Sequence, residues 1–201
     1  PTHRNTSWEQ ARFEVCAHKW ADVSEYGYGV AMLNDCKYGM DIRESVMRLT
    51  LLKSGIFPNP DADNEVHEFT YSLYPHRGGF REGHVIQEAY DLNCPLHAVW
   101  ASGKCGWSCS YLTIEAENII ADTVKQAEDG DGVIIRFYEA YGQRTETGIL
   151  LPFSDGRQVE ECDCLERPVG KAVAVREGTE ACEKVWNLQF SPYEIKTLRV
   201  H

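Results

Sequence analysis

Short runs in which apolar and polar residues alternate dominate this chain, the pattern of strands that bury one face. One run departs from it. After Gly29, Val30, Ala31, Met32 and Leu33 are apolar without interruption, and Asn34, Asp35, Cys36, Lys37 and Tyr38 then crowd an amide, a carboxylate, a thiol, an ammonium and a phenol ahead of Gly39. This predicts a buried strand that delivers a polar rim loop, residues 34–39, to its end, where a rigid scaffold has already removed the loop's conformational freedom. A solvated hairpin tip is the plainer alternative.

Elsewhere the period is two. Residues 12–22 place Phe13, Val15 and Ala17 against Glu14, Cys16, His18 and Trp20; residues 46–53 place Met47, Leu49 and Leu51 against Arg48 and Thr50. The second segment is expected to pair with the rim strand as a hairpin, ended by Ser54-Gly55 and Pro58-Asn59-Pro60-Asp61. Residues 65–74 read as a strand through Phe69, Tyr71 and Leu73, stopped by Pro75. Residues 84–93 have helical spacing in Val85, Ile86, Ala89, Tyr90 and Leu92. The small-residue stretch from Ala98 to Ser110 reads as a linker. Asp129-Gly130-Asp131-Gly132 is a hairpin signal that makes both of its arms strands, including the ambiguous residues 119–128. Residues 145–153 and 158–166 continue the meander, and residues 186–190 and 194–200 are expected to form a last antiparallel pair.

About ten to twelve short strands at this spacing predict an all-β, antiparallel β-sandwich, supersandwich or jelly-roll-like, with one short connecting helix. Residues 1–100, with the rim loop, form its first part and residues 101–201 its second, in one continuous domain.

Composition narrows the function. With 201 residues, 43% hydrophobic and 25% charged, the chain can bury a sizeable core. A formal net charge of −11 and no Lys/Arg cluster argue against nucleic acid and anionic membrane surfaces. No apolar run is long enough to span a bilayer and the N-terminus lacks a signal-peptide layout, while the start at Pro1 suits an excised or processed segment. The eight cysteines are irregularly spaced and read as reduced thiols, which points to the cytoplasm. In that compartment the Asn5-Thr6-Ser7 sequon is not glycosylated.

Several residues invite chemistry. His18 lacks a second ligand two residues on and reads as a sheet histidine. Asp61, Asp63 and Glu65 lack the ligand series of a calcium loop. Tyr74, His76 or Phe80 would suit a sugar-stacking platform, with core packing the alternative. Cys105, Cys109, Cys162 and Cys164 raise a tetrahedral zinc site against plain thiols, although neither pair has the two-residue gap of a zinc knuckle. Neither a Ser-His-Asp nor a Cys-His nucleophile context is present.

Five ordered blocks carry a resemblance: Arg4-Asn5-Thr6-Ser7-Trp8, the stretch Ala11-Arg12-Phe13-Glu14-Val15-Cys16-Ala17-His18-Lys19-Trp20, Leu33-Asn34-Asp35-Cys36-Lys37-Tyr38-Gly39, His67-Glu68-Phe69-Thr70-Tyr71-Ser72-Leu73-Tyr74-Pro75-His76, and Leu165-Glu166-Arg167-Pro168. Together, with a weaker echo at Phe190-Ser191-Pro192-Tyr193, they resemble the C-terminal β-rich region of class II α-mannosidases, in the cytosolic and bacterial branch of glycoside hydrolase family 38. The resemblance implies a metal-dependent retaining α-mannosidase that hydrolyses terminal α-mannosides of oligosaccharides, with its carboxylate nucleophile and divalent metal, zinc being the expected ion, in an N-terminal catalytic region absent from this chain. No catalytic or metal-binding residue and no cofactor is then expected here, and the chain alone is expected to be inactive. Its implied partners are its own catalytic region and a mannose-containing oligosaccharide; a homo-oligomer is left open. Asn34, Asp35, Lys37 and Tyr38 are the substrate-binding residues this implies at the wall of the pocket. The alternative is an autonomous carbohydrate-binding β-sandwich module without catalytic activity.

Overall fold

The alternation along the first hundred residues builds two small sheets, one of which packs on a helix. In the computed structural model, which describes residues 5–103, 106, 108–178 and 184–201, the chain divides into two compact units, residues 1–102 and 103–201.

The first unit holds helices α1 (Ser7–Ala11) and α2 (Val85–Asn93) and strands β1 (Val15–Cys16), β2 (Trp20–Glu25), β3 (Tyr28–Asn34), β4 (Gly39–Arg43), β5 (Val46–Thr50) and β6 (Tyr71–His76). Strands β2, β3 and β6 form an antiparallel sheet with β3 central, and β1, β4 and β5 form another. Cross-strand register puts Leu33 beside Trp20 and Ala31 beside Tyr74 on one face. These four residues pack with Val85, Ala89 and Leu92 of α2 and with Phe80. The expected connecting helix is therefore α2, and its apolar stripe at helical spacing is what holds it to the sheet.

Three local expectations change. Residues 12–22 are not one strand: Lys19 takes a left-handed backbone (φ 68°) between β1 and β2, and Phe13 lies ahead of β1, exposed. β5 pairs with β4, not with the rim strand. The strand expected over residues 65–74 begins at Tyr71. Helix α1 is additional; Thr6 caps it, accepting from Glu9 N–H at 3.2 Å while Glu9 Oε2 accepts from Thr6 N–H at 3.0 Å.

The second unit contains β7 (Thr113–Ile114), β8 (Ile119–Gln126), β9 (Val133–Glu139), β10 (Thr145–Leu150), β11 (Val159–Cys162), β12 (Pro168–Ala172), β13 (Ala174–Glu177), β14 (Lys184–Phe190) and β15 (Ile195–Val200). It is a sandwich of a four-stranded sheet, order β13-β14-β10-β7, and a five-stranded sheet, order β12-β11-β15-β9-β8, both antiparallel. Ile135, Phe137, Ile149, Trp186, Leu188, Leu198 and Val200 fill the space between the sheets. Each such side chain contributes roughly 1.5–3 kcal/mol by burial. The hairpin across residues 129–132 forms as expected between β8 and β9. β14 and β15 do not pair, because the chain changes sheets between them: β14 joins β10 and β13, whereas β15 joins β9 and β11. Among the described residues, no helix is long and apolar enough to cross a membrane.

Candidate functional site

Two hydrogen bonds to the main chain of Asn34 fix the end of β3. Asn34 N–H donates to Lys19 O at 2.8 Å, and Asn34 O accepts from the Asn93 side chain at 3.0 Å; the same Asn93 amide donates to Ala89 O at 2.8 Å. The left-handed turn at Lys19 and the last turn of α2 thus grip the strand where the polar rim begins. Lys19 reinforces the grip, its ammonium 4.1 Å from the centre of the Tyr90 ring.

The rim is bracketed from its other side by residues 67–70. Asp35 N–H donates to Thr70 O at 3.2 Å, and Thr70 N–H donates to Asp35 Oδ2 at 2.9 Å. The Cys36 thiol and Thr70 hold the Asp35 carboxyl below its ordinary value, while the same carboxylate raises the thiol. Lys37 Nζ lies 5.1 Å from the Phe69 ring centre, and Phe69 stacks with Tyr71 at 6.4 Å. Tyr38 O–H donates to Asp35 O at 3.3 Å, and its ring lies 4.4 Å from that of His18. The result is a carboxylate and an ammonium flanked by partly exposed aromatic rings, groups that hydrogen-bond hydroxyls and cover the apolar face of a pyranose.

The four residues expected to bind substrate do not share one environment. Tyr38 is exposed and Asp35 and Lys37 are half-buried, so the structure brings these three to the surface together. Asn34 is fully buried, and neither atom of its amide has a hydrogen-bond partner among the described residues. An orphaned buried amide costs about 1–3 kcal/mol. Asn34 stands behind the rim, not on it.

The proposed platform residues lie elsewhere. Tyr74 donates to Gly83 O at 3.0 Å, His76 is buried against Asp22, and Phe80 stacks on Trp20 at 5.3 Å, all on the α2 side of the sheet. The packing alternative describes them. Phe69 and Tyr71 take the rim position instead, a placement that alternation alone does not reveal, because it shows a shared face and not which face is open.

Among the described residues no group of three or more His, Cys, Asp or Glu could hold a metal ion. Of the four cysteines considered for zinc, Cys105 lies outside the described residues, Cys162 is buried on β11, and Cys109 and Cys164 are exposed and free. The metal the resemblance implies does not fit any donor set described here.

Two family models match the chain: the glycosyl hydrolases family 38 C-terminal domain over residues 1–61, and the family 38 C-terminal beta sandwich domain over residues 118–198. The chain belongs to glycoside hydrolase family 38. The second match runs from β8 into β15 and so covers all of the sandwich described above except β7 and the last residues of β15. Among similar proteins, human alpha-mannosidase 2C1 is 41% identical over 98% of this chain, Dictyostelium discoideum alpha-mannosidase G 39% over 99%, and the Saccharomyces cerevisiae alpha-mannosidase 33% over 100%. The family 38 chain spans only 18–20% of the length of these relatives. The crystal structure of an alpha-mannosidase from Enterococcus faecalis has the same fold, with a TM-score of 0.75 at 20% identity, covering 99% of this chain and 22% of that one.

Proposed function

We propose that this family 38 chain is the C-terminal β-rich part of an α-mannosidase that hydrolyses terminal α-mannosides of oligosaccharides, and that Asp35, Lys37 and Tyr38 line its substrate pocket with Asn34 buried behind them. The observation that carries the reading is the rim itself: Asp35 is clamped by two bonds to Thr70 beside a lysine and two aromatic pairs, at the end of a strand held on both sides. Pre-organised donors and acceptors of this kind discriminate strongly for hydroxylated ligands. Resemblance to longer α-mannosidases supports a catalytic region upstream, which would supply the nucleophile, the acid/base carboxylate and the divalent metal, with zinc the expected ion. When bound, that metal would hold vicinal hydroxyls of the sugar; the rim's part is to position the sugar. The open face of the β2-β3-β6 sheet, where Tyr71 and Leu73 are exposed, supports packing against that region. The six described cysteines are free, which supports a cytoplasmic setting.

The test is kinetic. In the full-length protein, Asp35→Ala and Lys37→Ala each lower kcat/KM for an aryl α-mannoside by about 10- to 100-fold, the consequence of losing roughly 1.4–3 kcal/mol of hydrogen bonding. Unchanged kinetics in both variants would remove the reading. A second reading, an autonomous carbohydrate-binding sandwich, is favoured by one feature of residues 103–201, a cleft between the two sheets.

A further inference from the structure

Inside a sandwich, positions that alternate with solvent-facing ones are apolar, and most of this core obeys that rule. It fails at one end. On β11, Glu161 shares the inner face with Val159; on β15, Lys196 shares it with Leu198 and Val200. Lys196 Nζ lies 3.2 Å from both Glu161 oxygens and 3.4 Å from Glu194 Oε1, and the Lys196 and Glu161 side chains are only 11% and 17% exposed. An ion pair drawn this far from water costs about as much as it returns, so stability alone does not account for it.

The pair lies in a cavity of about 780 Å³ between the sheets, walled opposite by Thr145, Leu188 and Phe190 of the four-stranded sheet. β13 pairs with β14 only as far as Asn187, which leaves the main-chain edge of residues 188–190 open on that side. Arg144 also lines the cavity, and its side chain has no hydrogen bond or ion pair among the described residues; Glu146 and Gln189, paired across β10 and β14 one residue out of step with Thr145 and Phe190, present their side chains to the outer face of that sheet.

This donor set selects a chemical class. Two carboxylates, Glu161 and Glu194, balance two cations, Arg144 and Lys196, of which Lys196 is already paired with both, so the lining holds no excess of positive charge to favour an anion such as a phosphate. Donors (Arg144, Lys196 and the Thr145 hydroxyl) and acceptors (Glu161, Glu194 and the main-chain edge of residues 188–190) stand with Leu188 and Phe190 around the cavity, which matches a ligand whose every polar group both donates and accepts. We propose that this cleft is a second carbohydrate site, distinct from the rim, that takes a neutral oligosaccharide between the two sheets of the sandwich. It stands whether or not the rim lines a catalytic pocket.

Hydrogen exchange of the full-length protein, with and without a thio-linked mannobiose that cannot be hydrolysed, tests this. The sugar should slow exchange in peptides covering residues 143–147 and 186–196, and Arg144→Ala and Lys196→Met should each weaken that protection about tenfold in sugar concentration. Arg144 is exposed, so its replacement leaves the core intact even if Lys196→Met unfolds the sandwich. Protection that is absent at saturating sugar, that is confined to residues 33–39, that survives Arg144→Ala, or that mannose 6-phosphate produces more strongly would overturn the proposal. Protection confined to the rim would do so while leaving the mannosidase reading intact.

Discussion

Asp22 on β2 and His76 on β6 meet across the intervening strand β3, Oδ1 to Nε2 at 2.8 Å, with both side chains almost wholly buried. They can meet because the β3 residue beside His76 is Gly29, where a side chain would occupy the space of the imidazole. Gly83 bounds the ring from the far side: a Cβ there would lie 2.5 Å from His76 Cγ and Nδ1.

Gly83→Ala therefore overpacks a site that cannot relax along a flexible chain. A loss of about 1–3 kcal/mol is expected, read as a lower urea midpoint with the slope unchanged. A midpoint equal to that of the parent protein would show that the imidazole is not held as described.

In the second unit, Glu139 is a buried carboxylate that organises two loops. It accepts from the Asn118 side chain at 2.7 Å and from the main-chain N–H groups of Tyr141, Gly142, Gln143 and Tyr193 at 2.8, 2.7, 3.2 and 3.0 Å. Burial pushes its pKa up, but the donors outweigh burial and hold it below the ordinary 4.5. Glu139→Gln replaces an acceptor oxygen with a donor facing N–H groups, and about 3 kcal/mol of stability should be lost.

The sign of the pH effect follows from the depressed folded-state value. Glu139 contributes stability that is fully present above its unfolded value near 4.5 and is lost as pH falls through the lower folded value. The parent's thermal midpoint should drop more steeply than that of Glu139→Gln as pH is lowered below about 4.5. Parallel curves would contradict this role.

The cap of α1 provides a contrast. No residue of this five-residue helix is buried, so Thr6→Ala should fray α1 locally at a cost of about 1 kcal/mol or less. Exchange should rise in residues 6–11 while the global urea midpoint stays put. A cooperative loss elsewhere would mean that α1 carries packing not described here.

These elements differ in how far they can be read from residue order. β3 and β9 stand out because burial on at least one face enforces an apolar pattern, whereas β8 is ambiguous by its own residues and legible only through the Asp-Gly-Asp-Gly turn that joins it to β9. β13 does not, since all four of its residues are exposed and no pattern is imposed on them. β12 opens on Pro168 and contains Gly170 at φ 73°, residues that usually signal a break. Pairing is less legible than existence: β5 was free to join either neighbour by its alternation, and the left-handed turn at Glu44 (φ 55°) directs it back onto β4.

At the rim, residue type was legible and direction was not. Asp35, Lys37 and Tyr38 follow an apolar strand and reach the surface, but Asn34 is the last residue of β3, and the grip of Lys19 and Asn93 draws it inside. Its buried amide has no counterpart in the pattern, because a polar residue at a strand end looks the same whether it faces solvent or the core.

The most direct measurement is a crystal structure of the full-length protein bound to a non-hydrolysed mannoside. The account predicts side-chain atoms of Asp35, Lys37 or Tyr38 within about 2.5–3.2 Å of sugar hydroxyls, in a pocket completed by the upstream region. A mannoside bound there with no contact to the rim, or a rim buried against protein with no route to the sugar, would contradict it.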